Sequence, residues 1–204
     1  DGLEGAYDEL YSMGFRYDTR TSWPVEVTVR SLDEEIDGQT DRSFPWTANS
    51  GYIEINSFIM PDKPLTKITG AHEFFHIVQD LYNYDEKYNW LQEASSVWFE
   101  EKFAVNPDLY VSDARSGHEL APFQGLQAGA AESNTHHGYG CSAVIKYLVG
   151  QYGDEIMKKI WEDCRDHSSH PIDAIKLATD PYVIWWSNFM RDYTLGNVYS
   201  DMSV

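Results

Sequence analysis

Two kinds of hydrophobic pattern follow one another along the chain. Residues 23–32 and 51–60 alternate between apolar and polar positions and contain β-branched side chains, which predicts two strands. The polar, turn-rich stretch 33–50 between them predicts a loop. A first helix is predicted over 3–13, where Gly14 ends it. We therefore expect a small sheet in the amino-terminal part.

Downstream of residue 61 the spacing becomes helical. The stretch 65–82 has apolar residues three and four positions apart, at Leu65, Ile68, Phe75, Val78 and Leu81, as one face of a helix requires. Further helices are predicted over 90–103, 141–152, 154–164, 172–179 and 182–193, with an irregular stretch over 107–140. We expect an α+β fold in one domain over 1–204, with an α+β lobe over 1–82 and a mainly helical lobe over 83–204.

Composition and charge narrow the classes of partner. The 204 residues are 42% hydrophobic, which is enough for a packed core, and the formal net charge is −18. Binding to phosphate backbones needs a basic patch, so we expect no nucleic-acid partner. No apolar run reaches the 18 residues of a membrane span. We expect a monomer, and the start at Asp1 without a leader fits a mature secreted or cell-surface protein or an excised domain.

The two cysteines flank a predicted helical hairpin. Cys141 and Cys164 lie at similar distances on either side of Gly153, so an antiparallel hairpin would bring them together. A disulfide is therefore expected, and it would suit an oxidising compartment. The alternative is two buried free thiols.

The segment HEFFH suggests a metal site. His72 and His76 are four residues apart, so on a helix both imidazoles lie on one face and can bind the same ion. Glu73 beside them can act as a general base toward water. The alternative is two half-buried histidines on an amphipathic helix.

A third ligand is predicted on the following helix. Glu93 lies seventeen residues after His76 and shares a stripe with Glu100; carboxylates in such an apolar stripe are costly unless they are paired or bound to metal. Glu100 could accept a proton from either histidine, or could be an exposed surface residue. Gln79 and Tyr82 exclude the metzincin class, which needs glycine and histidine there.

HEFFH and WLQEASSVWFEE together resemble the gluzincin metallopeptidases, the thermolysin and aminopeptidase type, over roughly residues 50–165. The likeness is closer to hyicolysin-like and uncharacterised secreted bacterial members. The resemblance implies one catalytic Zn²⁺ in a cleft between the two lobes, bound by His72, His76 and Glu93. It also implies that Glu73 is the general base and then the acid.

The same resemblance suggests how substrate is held. In THHGYG, Tyr139 is the expected donor to the oxyanion, with His136 and His137 as further substrate-binding candidates; a tyrosine that only packs is the alternative. Residues 51–55, including Gly51, Tyr52 and Ile53, are expected to form an edge strand that pairs with extended substrate. The alternative is an ordinary core strand.

Calcium is a weaker expectation at the acidic stretch 33–41. Asp33, Glu35, Asp37 and Gly38 follow a calcium-loop order, but Phe44 stands where the bidentate glutamate belongs, so a solvated acidic loop is favoured.

Three functions remain open from the residues alone. We expect a zinc endopeptidase that acts on proteins or peptides. One alternative is a zinc hydrolase for glycosylated proteins, with Trp46 or Tyr52 stacking on sugars. The other is a non-catalytic zinc-containing module of a larger surface protein.

Overall fold

A small sheet and a set of helices build the protein. The structure, a computed structural model, describes residues 2–41, 51–83, 85–106, 110, 112–126, 134–179 and 185–199. The elements in this part of the chain are α1 (Gly2–Ser12), β1 (Val27–Arg30), β2 (Gly38–Asp41), β3 (Tyr52–Asn56), α2 (Lys63–Tyr82), α3 (Asn89–Glu100), α4 (Ala121–Gln124), α5 (Asn134–Tyr152), α6 (Glu155–His167), α7 (Pro171–Ala178) and α8 (Trp185–Thr194). Short 3₁₀ turns cover Glu86–Tyr88, Glu101–Phe103 and Asp113–Arg115. The α+β class is confirmed.

The sheet has the strand order β1-β3-β2. The central strand β3 runs parallel to β1 and antiparallel to β2. Residues 51–55 were predicted to be an edge strand, and that prediction is wrong because β3 has a neighbour on both sides. Gly51, Tyr52 and Ile53 therefore do not lie on an edge strand.

One of the two outer strands is β2, which the sequence predicted as part of a loop. Its four residues, GQTD, carry no apolar alternation. Tertiary contacts hold it instead: Gln39 donates to Glu54 and Tyr52 donates to Asp41 on one face, and Thr40 contacts Glu73 on the other. The strand therefore lies directly beside α2.

The helix α2 is the centre of the fold. Asp62 caps its start by accepting a hydrogen bond from the Leu65 backbone N–H, and Pro64 lies in the first turn, as helix starts favour. Every residue from Ile68 to Tyr82 is buried, because α1, α3 and the sheet pack around it. A helix covered on all sides can keep polar groups only where they are paired.

The helix α5 begins at Asn134, seven residues before the predicted start at 141. Its first turns contain the glycines of HHGYG, which the sequence suggested to be a loop. These glycines permit close packing: a Cβ on Gly138 would lie 2.6 Å from the Glu93 Cβ, and one on Gly140 would lie 2.0 Å from the His118 carbonyl oxygen.

Both cysteines are buried free thiols, so the predicted disulfide is wrong. The helices α5 and α6, which the sequence predicted as a packed hairpin, do not pack against each other along their length, because α5 packs mainly on α3 and α6 mainly on α7. The two open ends are therefore not drawn together. Burial raises the pKa of each thiol to about 12. The expectation of an oxidising compartment loses this support.

In the described part of the chain, no helix combines the length and the apolar character that crossing a bilayer requires.

Candidate metal centre

Three electron-rich side-chain atoms converge between α2 and α3. The Nε2 atoms of His72 and His76 lie 3.0 Å apart. Oε2 of Glu93 lies 3.4 Å from the first and 3.5 Å from the second. Ligands that bind zinc tetrahedrally at about 2.0–2.1 Å are spaced by roughly 3.3–3.4 Å. The three predicted ligands are therefore already at the spacing of a metal-binding group.

The hydrogen bonds of the two imidazoles fix which nitrogen faces the centre. Nδ1 of His72 contacts Oε1 of Glu100 at 2.6 Å, and Nδ1 of His76 contacts Oε1 of Gln79 at 2.8 Å. Both partners are acceptor oxygens, so each Nδ1 carries a proton and each neutral ring presents an Nε2 lone pair to the other. Two lone pairs and a carboxylate at this distance repel one another unless a cation lies between them.

The carboxylate of Glu93 also requires a positively charged or hydrogen-donating partner. Its Oε2 is buried and finds no hydrogen-bond donor among the described residues when both rings are neutral. A buried carboxylate oxygen without a partner is costly. The site thus fits a metal ion by donor type as well as by distance.

Without a metal, the neighbouring carboxylates favour a proton on each histidine, so that the rings need not stay neutral. Burial alone would lower the pKa of His72, but its hydrogen bonds with Glu100 and Glu93 outweigh burial and hold that pKa well above its ordinary value. Burial likewise opposes a charge on His76, but the charge of Glu93 raises its pKa. Burial would raise the pKa of Glu93, yet the two histidines hold it well below its usual range. A metal must therefore displace protons to bind.

Glu100 is confirmed as the partner of a histidine, and the partner is His72. Its side chain is buried, and its second oxygen accepts a hydrogen bond of 2.9 Å from the Tyr110 hydroxyl. A carboxylate in this position fixes the tautomer and orientation of a ligating ring. The alternative of an exposed surface glutamate does not apply.

Gln79 supports the other histidine, and sequence reasoning missed it. It is fully buried, and its Nε2 donates to the Gln92 carbonyl at 3.0 Å and to Ser96 Oγ at 3.2 Å. These two bonds orient the amide so that its oxygen faces His76. The signal in the sequence was a glutamine three residues after His76 on the same helix face.

Glu73 lies beside the ligands and is not one of them. Its carboxylate Oε2 is 2.9 Å from the hydroxyl of Thr40 on β2, which is also 2.9 Å from the Glu73 carbonyl oxygen. The side chain is largely buried, yet it borders an open cleft. Thr40 is a second contact that the sequence did not reveal, because β2 itself was not predicted.

A cleft of about 620 Å³ opens beside His72 and Glu73. The helix α2 and residues 35–38, which end at the start of β2, form one wall, and Tyr110 and residues 112–118 with the start of α5 form the other. Tyr139 and His136 line this second wall, and the Tyr139 ring centre is 6.4 Å from that of His72. Burial and the neighbouring glutamates raise the pKa of Tyr139, so its phenol keeps its proton.

The two other candidates of the THHGYG segment, His136 and His137, differ in whether they line the cleft. The ring of His136 stacks on that of His118 at 4.8 Å between centres, within the cleft wall. His137 is buried, with Nε2 3.5 Å from the Cys141 sulfur, and does not line the cleft. The prediction that His137 binds substrate is therefore wrong.

The described part of 33–41 shows no calcium loop. Its acidic residues form no group of three metal ligands there, and the carbonyls of Asp33 and Ile36 accept hydrogen bonds from Asn56 Nδ2 instead. Phe44 and Trp46, named in the calcium and sugar hypotheses, lie outside the described residues.

Comparison with known proteins adds no relative. No family model, curated protein or solved structure matches the chain. The likeness to gluzincins thus stays a prediction that depends on the two motifs, and the geometry of the site carries the functional argument.

Proposed function

We propose that the protein is a zinc-dependent endopeptidase. The observation that carries this proposal is the spacing of the His72, His76 and Glu93 side-chain atoms at 3.0–3.5 Å, next to an open cleft that His72 and Glu73 line. Two histidines and one glutamate match the donor set of catalytic zinc sites, which keep one position open. A structural zinc site usually recruits cysteines, whereas Cys141 and Cys164 lie outside this group.

Bound zinc would supply Lewis acidity toward the scissile carbonyl and make water a better nucleophile near neutral pH. The Glu73 carboxylate borders the cleft and can take the proton from the attacking water, then return it to the leaving amine. Thr40 holds this carboxylate in place by its hydrogen bond. The neutral phenol of Tyr139 is the donor available for the developing oxyanion.

The substrate backbone is proposed to pair with β2. The Asn56 N–H donates to the Asp37 carbonyl, and the register pairs Gln39 with Glu54. Because hydrogen-bonded pairs alternate in an antiparallel ladder, the backbone groups of Gly38 and Thr40 point away from β3. An extended peptide can add to such an edge without demanding particular side chains.

A metal analysis combined with a peptide digest tests the proposal. Parent protein should bind one zinc per chain and cleave an unstructured protein such as casein, and Glu93→Gln should lose most of its zinc. Correctly folded protein that retains no zinc after dialysis would refute the metal site. Full zinc without cleavage of any peptide would favour the non-catalytic module. Cleavage confined to glycosylated substrates would favour the glycoprotein-specific hydrolase.

A further inference from the structure

The cleft has an arm that combines an apolar floor with an acidic rim. Of its lining residues, Ile36, Leu65 and Ile68 are buried or half-buried and form the floor, whereas Glu35, Asp37 and Asp62 are exposed and form the rim. We call these six residues the acidic arm. It begins beside His72 and follows α2 toward its amino terminus.

The length of the arm matches a short piece of peptide. Leu65 lies seven residues before His72 on α2, which corresponds to about 10 Å at 1.5 Å per residue. An extended chain advances about 3.3 Å per residue. The arm therefore accommodates about three substrate residues on one side of the cleaved bond.

The acidic arm carries negative charge without a balancing positive charge from the described cleft lining. None of the described residues that line the cleft is lysine or arginine. Lys67 on the same helix is directed elsewhere, with its Nζ 5.3 Å from the centre of the Phe103 ring. On the opposite wall, Ser112, Ala114 and Ser116 are uncharged. Asp62 caps α2 through Oδ1 and still brings its negative charge to the rim.

We propose that the acidic arm selects substrates with a lysine or arginine within about three residues of the cleaved bond, on one side only. Such side chains have an apolar stem and a charged head. The stem would lie on Ile36, Leu65 and Ile68, and the head would reach the carboxylates of the rim. This inference rests on the proposed peptidase function and names the class of its substrate.

Matched peptides that differ only in charge test the inference. Fluorogenic peptides would carry either arginine or its neutral analogue citrulline at each of three positions on each side of the cleaved bond. Exposed ion pairs each contribute a factor of about 1.4–5, so the three carboxylates together should favour arginine in kcat/KM by roughly 3- to 125-fold. The preference should occur on one side and shrink in 1 M NaCl, where charges are screened.

Two variants locate the effect. Glu35→Gln should reduce the preference by about 1.4- to 5-fold. Glu34→Gln removes a neighbouring exposed carboxylate that does not line the cleft, so the preference should stay as in the parent.

Three outcomes overturn the inference. Equal rates for arginine and citrulline would do so while leaving the peptidase proposal intact. A preference of the same size on both sides would reflect the net charge of the whole chain instead of the arm. If the zinc-loaded parent cleaves neither these peptides nor casein, the proposed function fails and the inference fails with it.

Discussion

The substitution Gly138→Ala should push α5 away from α3, the helix that carries the candidate ligand Glu93. A Cβ at this position would lie 2.6 Å from the Cβ of Glu93 and 2.9 Å from the carbonyl oxygen of Trp90. Carbon atoms pack at about 3.5–4.0 Å, so α5 and α3 must move apart by roughly 1 Å there. Because one of the two contacts is backbone, a change of rotamer cannot relieve it.

The stability cost can be isolated with a second glycine on the same helix. A Cβ on Gly150 would meet no atom within 4 Å, so Gly150→Ala should gain up to about 0.5–1 kcal/mol from helix propensity. Gly138→Ala makes the same chemical change but adds an overpacking cost of about 1–3 kcal/mol. The melting temperatures of the two metal-free variants should therefore differ by roughly 2–12 °C.

Zinc affinity gives the second readout. Metal–ligand distances tolerate changes of only about ±0.2 Å, so a shift of Glu93 should weaken zinc in Gly138→Ala by at least about 10-fold, the lower end of what outer contacts contribute. Gly150→Ala should bind zinc as the parent does. Competition titrations against a chelating dye measure both. If the two variants match in melting temperature and in zinc affinity, Gly138 does not set the position of Glu93.

Three further predictions follow from the same contacts. Glu100→Gln should weaken zinc by about 10–100-fold, measured by dye competition, and equal affinity would show that Glu100 does not support His72. The pKa values of His72 and His76 are raised in the folded protein, so their protonation stabilises the metal-free protein fully below about pH 6.5, and this stabilisation is lost as the pH rises through the higher folded pKa values. Zinc affinity should rise over the same pH range, because zinc displaces these protons. Melting scans with and without zinc should show these opposite trends, and parallel trends would contradict them. Two thiols per chain should react in unfolded, unreduced protein and neither in the folded state; no reactive thiol after unfolding would reinstate the disulfide.

The candidate metal ligands could be predicted because their signal is local. His72 and His76 are placed by the helix repeat, and Glu93 by a carboxylate in an apolar stripe. The spacing between Nε2 and Oε2 atoms then follows from the packing of α3 on α2. The proposed general base, Glu73, comes with the same motif.

The missed features depend on contacts that are distant in sequence. The strand β2 has polar residues only, and its side chains are satisfied by Glu54, Tyr52 and Glu73. The glycines of α5 suggested a loop, although two of them serve close packing within a helix. The predicted disulfide assumed that α5 and α6 pack along their length, and their actual neighbours are other helices.

The most direct test compares parent protein with Glu73→Gln at equal zinc content, on casein. The amide has nearly the size of the carboxylate and can still accept the Thr40 hydrogen bond, so fold and zinc should be retained. It cannot accept the proton of the attacking water, and hydrolysis should fall by about 10²–10⁴-fold. Cleavage within a few-fold of the parent would contradict the role of Glu73 and with it the proposed mechanism.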